Sequence, residues 1–100
     1  MPQSERVPID AYVIDALMPD LVGHDRRASS FFVYLYLWRR TRGGARPAVV
    51  SHSGMAEATG LSRRSVQEAF AHLERRRLIA VRRTSATAAP AVSLTCDWRG

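Results

Sequence analysis

The 100-residue sequence predicts a mainly α-helical α+β fold with about four helices and a small β-hairpin of two to three strands. Three observations indicate this fold. A short and a longer stretch with apolar residues at helical spacing flank a turn at Gly60. An aromatic run over 31–38 precedes them and has polar flanks that extend it to helical length. Two strand-like runs, over 78–83 and 92–98, close the sequence and are joined by a loop of small residues.

Charge separates the first quarter of the sequence from the rest. Residues 1–25 hold one arginine and five acidic residues, whereas residues 26–100 hold fourteen arginines and four acidic residues. We expect 1–25 to form an acidic tail and a short helix that packs on the core of a domain over 26–100. A basic domain in a protein with a pI of about 11.0 is typical of nucleic-acid binding. A highly soluble surface without a particular partner is the alternative.

The helix of the acidic segment is predicted over residues 10–18. Asp10 is a suitable N-cap, the apolar residues that follow share one face, and Pro19 predicts the end of the helix. Residues 1–6 predict a loose polar tail. Asp25 is placed to cap the helix that comes next.

The aromatic run over 31–38 is compatible with a buried strand or with the middle of a helix. Its polar flanks favour a helix over about 26–42, which Gly43 and Gly44 would end. This helix is apolar on every side, so it needs cover on every side. We expect the preceding helix to cover part of it and a second subunit to cover the rest. The surface predicted to form the homodimer consists of the N-terminal segment and Phe32, Val33, Tyr36 and Leu37.

Two further helices are predicted around the Gly60 turn. Residues 53–59 predict a short helix, capped by Ser51 or Ser53 and ended by Gly60 in a left-handed conformation. A longer helix, capped by its first residue, follows over 62–77. The residues expected to be buried between these helices and the preceding one are Met55, Ala58, Leu61, Val66, Phe70 and Leu73.

A short helix joined to a longer one by a tight turn is a helix-turn-helix unit, and a hairpin directly after it is a wing. Residues 48–50 predict a brief edge strand beside that hairpin. The major groove of DNA admits one α-helix, and the second helix of such a unit occupies it. We therefore expect the helix over 62–77 in the major groove and the wing over 82–91 on the phosphate backbone.

The first turns of the longer helix carry side chains suited to DNA. Arg63 and Arg64 can reach guanine edges or phosphates, and Gln67 can pair with adenine. Glu68 is expected to pair with Arg64 across one helical turn. Arginines at the far end of the helix are either backbone contacts or solvated. The predicted DNA-binding residues are Ser62, Arg63, Arg64, Ser65, Gln67, Arg75, Arg82 and Arg83.

Residues 51–81, SHSGMAEATGLSRRSVQEAFAHLERRRLIAV, resemble the core of winged helix-turn-helix transcription regulators of bacteria, especially those of the GntR type. The resemblance implies DNA contacts from Ser62, Arg63, Arg64, Ser65 and Gln67. The aromatic first helix is more similar to MarR-type regulators and to the winged helices of phage and plasmid replication proteins. The segments that carry the GntR-type resemblance are Gly60-Leu61-Ser62-Arg63, Ser65-Val66, Glu68-Ala69-Phe70, Leu73 and Leu78-Ile79. Arg77 departs from the pattern, because glycine usually ends the helix there.

These features predict sequence-specific binding of double-stranded DNA by a dimeric transcriptional regulator. The alternatives are a plasmid or phage replication or partition factor and, less favoured, a protein–protein adaptor. We expect no enzymatic activity, metal, cofactor or small-molecule ligand, because no histidine stands at a metal-ligand spacing with another ligand and no set of residues assembles a nucleophile, a base and an oxyanion site. Cys96 is the single cysteine, and no apolar run reaches membrane-spanning length. The expected location is the cytoplasm, at the nucleoid.

Overall fold

A computed structural model of the protein describes residues 5–99. The first four residues of the predicted tail lie outside the described range. An N-terminal helical segment and three α-helices stand against an antiparallel three-stranded sheet of order β1-β3-β2. In chain order the elements are Val13–Leu17 and Pro19–His24 (together the N-terminal segment), α1 (Ala28–Arg40), β1 (Ala48–Val49), α2 (His52–Thr59), α3 (Arg63–Arg75), β2 (Ile79–Arg82), β3 (Ala91–Leu94) and a closing 3₁₀ turn (Asp97–Arg99). The prediction of four helices and a hairpin wing is confirmed.

The N-terminal segment continues past the residue that was predicted to end it. Both of its parts are wound as π-helix, and Pro19 occupies the start of the second part. A π turn is wider than an α turn, so the proline ring avoids the clash with the carbonyl four residues earlier that stops an α-helix. Asp10 and Asp25 were predicted as side-chain caps, but no side-chain cap begins this segment or α1. Both carboxylates bind distant side chains instead.

The aromatic run forms α1, as predicted, and most of it is covered within one chain. Val33 and Leu37, which were predicted to lie at a dimer interface, are fully buried in the core of the monomer. That part of the prediction is wrong, because neither side chain has any surface left to contact a second subunit. Phe32 is the exception, with 53% of its surface exposed. The helix is followed by Gly43 at φ +70°, where a Cβ atom would lie only 3.3 Å from the Trp38 ring.

The helix-turn-helix unit has the predicted caps. Ser51 Oγ accepts a hydrogen bond from the Gly54 amide at 3.0 Å and starts α2. Gly60 takes the left-handed conformation at φ +80°. Ala58 is exposed and does not join the predicted core. The longer helix, α3, ends at Arg75, and Arg77 adopts φ +58° at the position where the resemblance placed glycine.

The sheet is shorter than the sequence pattern suggested. The edge position of β1 is confirmed, with Ala48 opposite Val92 in β3. The predicted strand over 92–98 is wrong in its second half, because β3 ends at Leu94. Beyond it the backbone turns so that the Trp98 ring stacks on Tyr12 at 4.6 Å and lies parallel to Trp38 at 6.5 Å. Aromatic stacking on Tyr12 and on Trp38 of α1 thus replaces continued strand pairing.

A single hydrophobic core joins all of these elements. Its fully buried aliphatic residues come from the N-terminal segment, α1, α3 and β3, which fixes α3 against the body of the protein. Within residues 5–99, no helix combines the length and apolar character needed to cross a membrane. The core residues at or below 1% exposure are Val13, Leu21, Val33, Tyr34, Leu37, Trp38, Met55, Val66, Ala69, Leu73 and Val92.

Candidate nucleic-acid interface

The outer face of α3 is a polar surface held in a fixed orientation. The inner face packs against α1 and α2 through buried apolar side chains, so the helix cannot rotate about its axis. The outer side chains are free of such contacts and include three arginines, two glutamates and one glutamine. The buried apolar residues are Val66, Ala69, Phe70 and Leu73, and the exposed residues are Arg63, Arg64, Gln67, Glu68, Ala71, Glu74 and Arg75.

The first turn of α3 uses one of its hydroxyl groups internally. Ser62 Oγ accepts a hydrogen bond from the Ser65 amide at 3.0 Å and donates one to Ser65 Oγ, also at 3.0 Å. The hydroxyl proton of Ser62 is therefore occupied, whereas that of Ser65 is left to donate outward. Ser65 is half-buried, and Ser62 is exposed.

Arg64 and Glu68 form the pair across one helical turn that the spacing predicted. Arg64 Nε lies 3.2 Å from Glu68 Oε2, and 86% of the arginine side chain is exposed. Such an exposed pair contributes little to stability, so its partners can separate at low cost. Gln67, one turn before Ala71, is exposed on the same face. The helix thus presents a guanidinium and an amide that are both able to move onto base edges.

Arg63 lies apart from that pair, in a depression between α2, α3 and the wing. We call this depression the wing notch; its volume is about 270 Å³. Arg83 enters it from the wing, and His52 enters it from the first turn of α2. The residues that line it are Ser51, His52, Ser53, Arg63, Arg83, Ala86, Thr87, Ala88, Ala89 and Pro90.

The imidazole of His52 is held at the wing notch by the core. Its ring meets the buried Phe70 ring edge-on, with 4.9 Å between ring centroids. Burial lowers the pKa of His52 below the ordinary value for histidine, and the charges of Arg83 and Arg63 lower it further. The sequence alone did not single out His52, because the arginines that act on it come from two other elements.

Arg82 and Arg83 are neighbours in sequence but lie on different surfaces. Ile79 faces the core, so the alternation of a strand places Ala80 and Arg82 on the outer face of the sheet. Arg82 there lines a second depression, with Pro47 and Ser93. Only Arg83 joins Arg63 at the wing notch. The two arginines that the sequence assigned to one wing contact therefore belong to different surfaces.

The last turn of α3 has one basic neighbour that the sequence did not suggest. Arg75 borders a depression with Glu68 and Ala71, and its other wall is Arg27 at the start of α1. Both arginines are exposed. This depression adjoins the outer face of α3 and shares no lining residue with the wing notch. Arg27 was missed because it lies 48 positions before Arg75 in the chain.

The acidic segment neutralises Arg76, which directly follows α3. Arg76 donates hydrogen bonds to the carboxylates of Asp20 and Asp25. Buried His72 lies 2.8 Å from Asp25 through Nε2 and 2.8 Å from Ser30 Oγ through Nδ1. Asp25 therefore binds side chains at the end of α3 instead of capping α1 as predicted. Hydrogen bonds from His24, His72 and Arg76 outweigh the effect of burial and lower the pKa of Asp25 to about 2.

One group of side chains has the composition of a metal site. Asp20, His24 and Asp25 bring potential ligand atoms within 4.8 Å of one another, contrary to the expectation that no histidine would stand beside other ligands. Arg76, however, binds both carboxylates and supplies the positive charge that a cation would bring. We assign no metal to this group.

An arrangement of α1, a short helix, a turn, a longer helix and a β-hairpin defines the winged helix-turn-helix fold. The family model described as "Helix-turn-helix domain" matches residues 27–79, which is more than half of the chain and runs from the start of α1 to the start of β2. The chain belongs to this helix-turn-helix domain family, and the assignment supports DNA as its partner. The match carries no narrower likeness to GntR-type or MarR-type regulators. No curated protein and no solved structure matches the chain.

Proposed function

We propose that the protein binds specific sequences in double-stranded DNA and acts as a dimeric transcriptional regulator. The observation that carries the proposal is the outer face of α3, which is exposed, rich in arginine and fixed in orientation by a buried inner face. A helix of this kind fits the major groove, where base edges are distinguishable. The wing then lies along the sugar–phosphate backbone beside it.

The side chains divide between base reading and backbone contact. Arg64 and Gln67 stand on the outward surface of the first two turns, which is the part of a recognition helix that reaches base edges. Arg63 and Arg83 face the wing notch beside the helix and suit phosphates. Arg75 with Arg27 suits phosphates on the other side. The hydroxyl groups of Ser62 and Ser65 add neutral contacts, and Arg82 faces the outer side of the sheet.

The proposed dimer surface is a groove between α1 and α2. The groove holds about 300 Å³ and is mostly apolar, with Phe32 as its most exposed aromatic residue. Its lining residues are Phe32, Leu35, Tyr36, Arg39, Ala58 and Thr59. We propose that a second copy of the protein binds here through the same surface, since an isologous contact places two identical apolar patches together. A dimer would present two α3 helices to two half-sites, which a small module needs for specificity.

The experiment that tests DNA binding is selection of bound sequences from a random duplex pool. We expect an inverted repeat whose half-sites match two α3 helices. Direct repeats would favour the replication or partition factor instead. Absence of any enriched sequence, together with absence of salt-sensitive binding to bulk DNA, would contradict the proposal and favour the adaptor.

The dimer is tested separately by the molar mass in solution. We expect Phe32→Glu to give a monomer, because a carboxylate in the groove opposes burial against its symmetry mate. Val49→Glu is the matched control, since Val49 is exposed and apolar but lies on edge strand β1, away from the groove. A Phe32→Glu protein that stays dimeric would exclude this surface.

A further inference from the structure

The wing notch brings two like charges together without an acidic residue to balance them. Arg63 and Arg83 both act on the imidazole of His52. None of the residues that line the notch is acidic, and neither arginine has a carboxylate partner within residues 5–99. Both arginines are exposed, and the summed field of two cations beside one depression attracts an anion. The notch is therefore a place where an anion is favoured.

Within residues 5–99 some arginines are paired with a carboxylate and others, such as Arg75 and Arg82, are not. The wing notch differs in that two unpaired arginines line one depression that has no acidic residue, whereas the depression of Arg27 and Arg75 includes Glu68. Arg39 and Arg42 bind Glu5, Arg76 binds two aspartates, and Arg99 Nε lies 2.7 Å from Asp10. These guanidinium groups are neutralised by the acidic N-terminal part of the chain. The pair at the wing notch is left for an external partner.

The uncharged groups of the notch suit a phosphate in particular. Ser51 and Ser53 lie at its α2 side, with their hydroxyl oxygens 3.5 Å apart, and Thr87 lies at its wing side. Hydroxyl groups donate to phosphate oxygens, and guanidinium groups bind phosphate through paired N–H donors. The notch is polar and has room for one phosphate group. Arg63, at the start of α3, lines the notch. A backbone phosphate would therefore lie at the notch when α3 occupies the major groove.

His52 couples the binding of an anion in the notch to the binding of a proton. The charged groups that face it are Arg63 from α3 and Arg83 from the wing, and its own helix contributes only serine hydroxyls to the lining. Phe70 holds the ring in place without charge. An anion between the two arginines would cancel their repulsion of the imidazolium and add an attraction of its own. The neutral histidine would then take up a proton.

We propose that the wing notch binds one phosphate of the DNA backbone and that this phosphate draws a proton onto His52, so that binding tightens as pH falls. The inference rests on the proposed function, since DNA is the source of the phosphate. The link is reciprocal: if the complex holds one more proton than its free components, lower pH favours the complex.

The anion site is tested first without DNA, by following the titration of each histidine with NMR. The probe is sulfate, whose charge is constant over this range, with sodium chloride at equal ionic strength as the reference. We expect sulfate to move the His52 midpoint upward more than chloride does, and to leave His24 unchanged. Arg83→Gln should raise the His52 midpoint in the protein alone, whereas Arg82→Gln, on the other face of the sheet, should not.

The second test measures affinity for a short mixed-sequence duplex at about pH 5.5 and about pH 7.5. We expect the wild type to bind about threefold to tenfold more tightly at the lower pH, since a tenfold change corresponds to a rise of about one pKa unit at one histidine. His52→Gln should lose this pH dependence. His24→Gln, which removes an exposed histidine elsewhere, should keep it.

The outcomes separate the notch from the function on which it rests. If DNA binds but His52→Gln keeps the pH dependence, or if sulfate and chloride move His52 equally, the inference is wrong and DNA binding stands. If sulfate moves His52 selectively but no duplex binds, the notch is an anion site and the proposed function fails. Selective sulfate binding together with loss of pH dependence in His52→Gln supports both.

Discussion

The two ends of α3 differ in what holds their arginines. At the N-terminal end, Arg63 has no acidic partner in the described chain, and Arg64 has only an exposed pair with Glu68. At the C-terminal end, Arg76 is bound by Asp20 and Asp25. The same residue type therefore serves two purposes. A count of arginines thus overstates the charge available to DNA, because the charge of Arg76 is neutralised within the protein.

Asp20 and Asp25, which we call the acidic cluster, connect the N-terminal part of the chain to the end of α3. Asp25 contacts Arg76 and buried His72 at once, and His72 continues the network to Ser30. Charged and polar groups removed from water need such partners, because an unpaired one is costly. The acidic cluster thus fastens the far end of the helix to the body while the near end faces outward.

The largest expected effect is on stability, from Asp25→Ala. The change leaves Arg76 with one partner and His72 without its carboxylate, so we expect a loss of about 2–4 kcal/mol in the free energy of unfolding. Urea denaturation at neutral pH measures it. Asp15→Ala is the control, as Asp15 is an exposed aspartate in the same segment and should change stability by less than about 0.5 kcal/mol. An equal loss of stability in Asp25→Ala and Asp15→Ala would contradict the conclusion that Asp25 holds the C-terminal end of α3.

The next effect concerns base reading, from Arg64→Ala. We expect specific binding to weaken by about 1–3 kcal/mol while binding to unrelated DNA changes much less, because a base contact is lost. Competition between the selected sequence and mixed-sequence DNA measures the ratio. An unchanged preference among sequences would show that Arg64 does not face the bases.

A smaller, sequence-independent effect is expected from Arg83→Ala. Loss of a phosphate contact should weaken binding to all sequences alike and reduce the slope of log affinity against log salt by about one. Arg82→Ala is the neighbouring comparison and should reduce the slope less, since Arg82 faces the outer side of the sheet. If Arg82→Ala has the larger effect, DNA lies along that outer face instead.

The smallest expected effect is the contribution of Asp25 to acid stability. Its pKa in the folded protein is about 2, below the ordinary value of 3.8. A lowered pKa means that the stabilisation is present above about pH 4 and is lost as pH falls from there towards 2. The thermal midpoint of the wild type should fall across this range, and that of Asp25→Asn should fall less. Parallel curves for the two proteins would contradict the assignment.

Local features of the fold were predictable from sequence, because their causes are local. Ser51, Gly60 and Ser62 begin or end helices through hydrogen bonds to residues three or four positions away, or through a backbone angle that glycine tolerates. The buried face of α3 followed from helical spacing in the same way. The order of helices and strands, and hence the fold, depends on such signals.

The features that sequence could not supply depend on contacts between distant positions. His72 and Asp25 are 47 positions apart, and nothing in their neighbourhoods pairs them. The alternating pattern predicts Trp98 in a strand, because its stacking partners, Tyr12 and Trp38, are far away in the sequence. The separation of Arg82 from Arg83 similarly required the sheet to be set against the core. The sequence therefore predicts which residues form the candidate site, but not on which surface each of them lies.

The most direct measurement compares Arg64→Ala with Arg76→Ala, using fluorescence anisotropy on the selected DNA sequence and on mixed-sequence DNA. We predict that Arg64→Ala loses most of the preference for the selected sequence and keeps its stability. Arg76→Ala should keep the preference, measured where the protein is fully folded, while its free energy of unfolding falls. The reverse result, with preference lost in Arg76→Ala and kept in Arg64→Ala, would contradict the division of α3 into an end that reads DNA and an end held by the acidic segment.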